Sequence, residues 1–200
     1  PNPLNFICHE KIPALIENDS KLVRELLHDI NTANISERKQ SRLSFGVQSS
    51  GNLFRRKEPS FQKLADALKL MIKNYRTRFA NESCEFIKSF PKKIEFSSSW
   101  FVKLPKGGHL SSHIHEDGWI SGAVYLSIPN ENSSSNEGAI QLSTHGDNYP
   151  KMHDNFPEKT ILPEVGDVIF FPSSVFHRTI PFNSTKERIC IAFDLRPETK

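Results

Sequence analysis

The sequence predicts a mainly β protein of the α+β class, with N-terminal helices packed outside a sandwich or barrel. Two apolar stripes at helical spacing lie before residue 80, and none follows. From Ile94 onward, at least six short β-like runs are separated by clusters of Gly, Pro, Asn and Ser. Many short strands without intervening helices bury their apolar faces best by facing one another. The 200 residues suffice for one good core. We read a single domain, with residues 1–93 as a helical support region and 94–197 as the β core.

Composition removes several function classes. The chain is 36% hydrophobic and 24% charged, and its net charge of +3 is too small and too evenly spread to imply a nucleic-acid partner. No apolar run approaches the roughly 18 residues of a membrane span. Pro1–Glu10 lacks a basic region followed by an apolar one, so it is no signal peptide. Without an initiator Met, the chain reads as a processed form or as a piece of a longer one. Cys8, Cys84 and Cys190 are odd in number and dispersed, against both a disulfide framework and a cysteine zinc site. A reducing, cytoplasmic setting is the default. Oligomeric state leaves no trace.

In chain order, Asp19 or Ser20 is expected to cap a helix through Ile30, with Leu22, Val23, Leu26, Leu27 and Ile30 at helical spacing. Ser41–Ser50 alternates loosely. Ser60 is expected to cap the clearest helix, over 60–80, whose stripe is Phe61, Leu64, Leu68, Met71, Ile72 and Tyr75. The strands expected after it are Ile94–Lys103, Leu110–His115, Ile120–Ile128, Ala139–Leu142, Lys159–Leu162, Asp167–Phe171 and Ile189–Leu195. Ser133–Asn136 reads as a hairpin tip, and 145–157 as a long irregular loop.

Six of the eight histidines lie between His109 and His177. On a strand, alternate side chains share a face, so His113 and His115 can converge on one metal ion. Alone, such a pair is weak; its position beside the Pro105–Gly108 turn and Gly118 strengthens it. His177 follows a turn, the apolar run Val168–Phe171 and a second turn. Arg188 opens the apolar run Ile189–Phe193, where a cation needs an anionic partner. Phe170, Phe171, Phe176 and Trp119 offer an apolar lining. His109, His145 and His153 read as turn or surface residues, and the helices' basic faces as solvated.

The order His-x-His, distal His, then Arg eleven residues later resembles the double-stranded β-helix (jelly-roll, cupin-like barrel) of Fe(II)/2-oxoglutarate-dependent oxygenases. His113–Pro129, Gly166–Phe182 and Glu187–Asp194 are similar to a bacterial subgroup of that superfamily whose domains often follow tetratricopeptide repeats. The resemblance implies a dioxygenase using Fe(II), 2-oxoglutarate and O₂, most simply a hydroxylase of a small molecule or peptide. It implies His113 and His177 as metal ligands, Arg188 as the partner of the far 2-oxoglutarate carboxylate, and Tyr125 as a residue within reach of that cosubstrate. His115 then stands where the superfamily has a carboxylate. Two readings compete: three histidines hold the metal, or the frame slides and His115-Glu116-Asp117 supplies an Asp. The same segments also fit the two cupin motifs, with Ser174 where a Gly is usual. A cupin dioxygenase or isomerase without 2-oxoglutarate is therefore the alternative, and Arg188 is the residue that separates them.

Overall fold

The computed structural model describes residues 1–17, 21–129 and 135–198. Its strands are β1 (Cys8–Lys11), β2 (Glu37–Arg38), β3 (Leu43–Ser44), β4 (Val47–Ser49), β5 (Ile94–Leu104), β6 (His109–Leu110), β7 (Ile120–Ser127), β8 (Ile140–Ser143), β9 (Glu158–Ile161), β10 (Asp167–Pro172), β11 (Phe176–Thr179) and β12 (Arg188–Pro197). Its helices are α1 (Pro13–Ile16), α2 (Lys21–Thr32), α3 (Pro59–Arg78) and α4 (Glu85–Lys88).

A seven-stranded antiparallel sheet has the order β1-β10-β7-β12-β5-β4-β2, and a three-stranded sheet the order β11-β8-β9. Period-two alternation divides the core between the two faces of the large sheet. Phe101, Val124, Phe170, Ile191 and Phe193 turn outward, into a cluster with Leu26, Leu64 and Leu68 of α2 and α3. Val102, Tyr125, Ile169, Phe171 and Cys190 turn inward and meet Ile140 and Leu142 of the small sheet. The expected architecture, a β barrel with helices on one outer face, is observed.

Several local expectations need correction. α3 begins at Pro59, which needs no backbone N–H at the first helical position, and Glu58 precedes it without a side-chain cap. Ser60 is not the cap: it is buried inside the helix, and its hydroxyl donates to Asp29 Oδ2 of α2 at 2.5 Å. The Asp19 or Ser20 cap of α2 falls outside the described residues, as do 133 and 134 of the expected hairpin tip. The N-terminal part is also more than helical support, because β1, β2 and β4 extend the large sheet at both edges.

Edge strand β1 is fastened by charge. Asp167, at the start of β10, is 2% exposed; its carboxylate meets His9 Nε2 at 2.6 Å and Lys11 Nζ at 2.8 Å, and accepts the Glu164 backbone N–H at 2.7 Å. Burial works to raise the pKa of this acid, but these three donors outweigh it and hold the group below the usual carboxylate range. Such stabilisation is present above the unfolded-state pKa near 4 and is lost as pH falls through the lower folded value. Asp167→Ala should therefore cost about 2 kcal/mol in urea unfolding at pH 7, as expected for hydrogen bonds to a charged group. The difference from the parent protein should shrink below pH 4.

Candidate metal centre

The site is built from the backbone upward. β6 stops at Leu110, so His113 and His115 are not on the continuous strand that the sequence suggested. Ser111 N–H instead donates to Arg42 O at 2.9 Å, and the chain then meets β11 in one isolated bridge. His113 N–H donates to His177 O at 3.1 Å, and His177 N–H returns to His113 O at 3.0 Å. A pair that exchanges both hydrogen bonds sets its side chains on one face, and these ring centroids lie 4.3 Å apart. His115 is placed by its own N–H, which donates to Ser173 O at 3.0 Å. The chain then turns sharply, Gly118 N–H donating to His115 O at 3.3 Å. A Cβ at Gly118 would strike the Ser173 hydroxyl, so glycine lets the two segments pass.

The ligand atoms of His113, His115 and His177 lie within 4.8 Å of one another. Each ring turns its Nδ1 outward to an oxygen: Ser111 O at 2.7 Å for His113, Val175 O at 3.2 Å for His177, and Asp194 Oδ1 at 2.5 Å for His115. These oxygens only accept, so each Nδ1 carries the proton and each Nε2 keeps its lone pair for a metal. Burial pushes the His113 pKa down to about 4, and burial with the neighbouring imidazoles lowers His177 well below its ordinary value. Both are neutral at pH 7, as metal ligation requires. The donor set thus fits one divalent transition-metal ion.

Asp117 does not join the cluster. It sits exposed in the Glu116–Asp117 turn, because the Gly118-to-His115 hydrogen bond reverses the chain there. The carboxylate near the metal position is Asp194 on β12, which the sequence reading did not single out. It accepts from His115, from Ser121 Oγ at 2.6 Å and from Ser98 Oγ at 3.1 Å. Parity could have found it: Arg188, Cys190, Ala192 and Asp194 alternate along one strand, and all line the same cavity.

That cavity holds about 400 Å³ and includes the three histidines, Tyr125 and Arg188. Arg188 is 2% exposed. Its Nε donates to Gly138 O at 2.8 Å, Nη1 lies 3.7 Å from Cys190 Sγ, and its guanidinium stands 5.0 Å over the Tyr125 ring. Among the described residues, no carboxylate reaches it. The buried Tyr125 hydroxyl has no hydrogen-bond partner, and burial raises its pKa, with Arg188 opposing. Of the aromatics expected to line the site, only Phe171 does so, its ring 4.7 Å from that of His177. Phe170 faces the helices, Trp119 stacks on Phe86, and Phe176 packs against Tyr149. His145 and His153 stack on Phe156 in the loop before β9, away from the cluster. Arg42 clasps Asp147 of that loop with two hydrogen bonds, 2.6 and 2.5 Å.

Three imidazoles gathered in a two-sheet barrel, with a buried cation in the same cavity, form a cluster that could hold one metal ion. The comparisons agree. Residues 98–194 match the family model described as "Putative 2OG-Fe(II) oxygenase". Over those residues the chain is similar to that family, and the match covers just under half of the 200 residues. A prolyl-4-hydroxylase from Pseudomonas putida has a similar fold, with 16% identity over 96% of this chain and 92% of that one, and a TM-score of 0.59. HygX from Streptomyces hygroscopicus, solved with nickel and 2-oxoglutarate, gives 13% identity over 97% and 84%, TM-score 0.63. The viral collagen prolyl hydroxylase of Paramecium bursaria Chlorella virus-1 gives 17% over 95% and 96%, TM-score 0.57. No curated protein sequence matches the chain. The cupin alternative is not favoured.

The lowered histidine pKa values have a consequence for the metal-free protein. Between pH 6.5 and about 4 the unfolded chain binds a proton that folded His113 refuses, so stability falls as pH drops through this window. In thermal melts of metal-free protein, His113→Gln should show a shallower loss of Tm from pH 7 to 4.5 than the parent.

Proposed function

We propose that the chain is a hydroxylase that binds Fe(II) through His113, His115 and His177, and 2-oxoglutarate through Arg188 and Tyr125. The carrying observation is the buried guanidinium of Arg188, which has no anion among the described residues. An uncompensated buried cation costs several kcal/mol, so the pocket is built for a ligand that brings the missing negative charge. The far carboxylate of 2-oxoglutarate matches the guanidinium fork, and the unpartnered Tyr125 hydroxyl supplies one more donor beside it.

Bound iron and 2-oxoglutarate supply the oxidation: O₂ is split between succinate, formed with loss of CO₂, and the hydroxyl group added to the substrate. The protein's own part is positional. The three imidazoles would hold the iron, leaving its remaining positions for cosubstrate and O₂. Asp194 orients the His115 ring and makes its Nε2 more electron-rich, an outer-shell role that usually changes metal affinity by 10–100-fold. Phe171 and Ile140 exclude water from the inner wall. The substrate enters from the cavity mouth, as a small molecule or a peptide segment.

Anaerobic titration with Fe(II) and 2-oxoglutarate tests this reading. A weak visible charge-transfer band and, under air, succinate formation are expected; the absence of both would overturn it. Arg188→Ala should weaken 2-oxoglutarate binding by at least tenfold while iron affinity changes little. Loss of both together would make Arg188 structural. Asp194→Asn should lower Fe(II) affinity roughly 10–100-fold in a chelator competition without altering the far-ultraviolet spectrum. Unchanged affinity would remove Asp194 from the site.

A further inference from the structure

Elsewhere in the described residues, Arg76 stands over the Phe90 ring and five arginines lie against carboxylates: Arg42 with Asp147, Arg55 with Glu95, Arg56 with Glu58, Arg78 with Glu10 and Arg196 with Glu95. The arginines that line the metal cavity do not. Arg188 uses the Gly138 carbonyl, as described. Arg38, on β2, faces the Gln48 amide, whose oxygen, in the orientation that satisfies both amide atoms, would accept from its Nε at 3.0 Å and Nη2 at 3.1 Å. Arg178, on β11 beside His177, donates through Nε to Gln141 Oε1 at 2.5 Å. Both are aimed by neutral amides, so their geometry is set while their charge stays uncompensated. The cavity's single carboxylate, Asp194, is already shared by His115, Ser121 and Ser98.

From this division we infer that the substrate of the proposed oxygenase is an anion, whose carboxylate or phosphoryl group is received by Arg38 and Arg178 at the cavity mouth. The inference rests on the reading above, in which Arg188 is reserved for 2-oxoglutarate. A guanidinium held through one edge by an amide keeps donors free for a planar carboxylate or a phosphoryl group. Cations left without a carboxylate at the border of a cavity raise the local concentration of a negatively charged ligand. Gln40 adds a second feature. Its Oε1 lines the same cavity, is buried and has no donor, so it suits an N–H or O–H on the same substrate. Arg38, Gln40 and Gln48 all come from the segment before β5, which thereby contributes to recognition as well as support.

The test uses the full chain loaded anaerobically with Fe(II) and 2-oxoglutarate. Three probes are titrated by calorimetry: N-acetylglutamic acid amide, N-acetylphosphoserine amide and the neutral N-acetylglutamine amide. At least one charged probe should bind about tenfold or more tightly than the glutamine probe, and the tighter of the two identifies carboxylate or phosphoryl. In the Arg38→Gln/Arg178→Gln double variant that preference should vanish while 2-oxoglutarate affinity stays within about twofold of the parent. Equal or absent binding of all three probes, or a preference kept by the double variant, would overturn the inference. So would a parallel loss of 2-oxoglutarate affinity, which would assign these arginines to the cosubstrate. If the parent binds no 2-oxoglutarate yet keeps the preference, the anion site stands and the oxygenase reading falls.

Discussion

Strict alternation along β12 is the constraint on which the rest of the molecule depends. The strand lies between β5 and β7 and is paired on both edges, so a slip of one residue would exchange its faces. In the observed register Ile189, Ile191, Phe193 and Leu195 join the apolar layer under the helices. The same register turns Arg188, Cys190, Ala192 and Asp194 into the cavity. Burying each large outward side chain contributes roughly 1.5–3 kcal/mol. That apolar face fixes the register, and the register then carries two charged residues to opposite ends of one pocket.

Those two charges are treated differently. Asp194 is saturated by an imidazole and two hydroxyls, so its negative charge is spent on holding the His115 ring in place. Arg188 receives only a carbonyl, a sulfur and a ring face. A fold stable by only about 5–15 kcal/mol keeps such a cation buried because the outer layer tolerates the cost. Where stability is the sole demand, as at Asp167, the charged group is fully partnered.

Much of this was legible in the sequence, because the barrel, the helices and the histidines that cluster are all written in local pattern. The alternating runs gave strands close to those observed, and the apolar stripe gave α3. The errors arose where contacts distant in sequence override local pattern. Leu110–His115 alternates like a strand, yet β6 ends where Leu110 pairs with Leu43 of β3, and beyond it His113 meets β11 in a single bridge. Ser60 has the chemistry of a cap, but Pro59 starts the helix earlier and Asp29, 31 residues away, takes the hydroxyl. The outer role of Asp194 is a fact of tertiary pairing: nothing near residue 194 names His115 as its neighbour. Likewise, nothing local pairs Arg38 with Gln48 until β2 and β4 bring them together.

The place of Asp194 behind His115 bears on how such a site can change over generations. Placing a carboxylate at position 115 would set two acids against each other across a short gap. One of them would then have to stay protonated. Losing Asp194 first would leave His115 without its acceptor. The two positions are therefore physically coupled: a change at either alters what the other faces, 79 residues away in the chain.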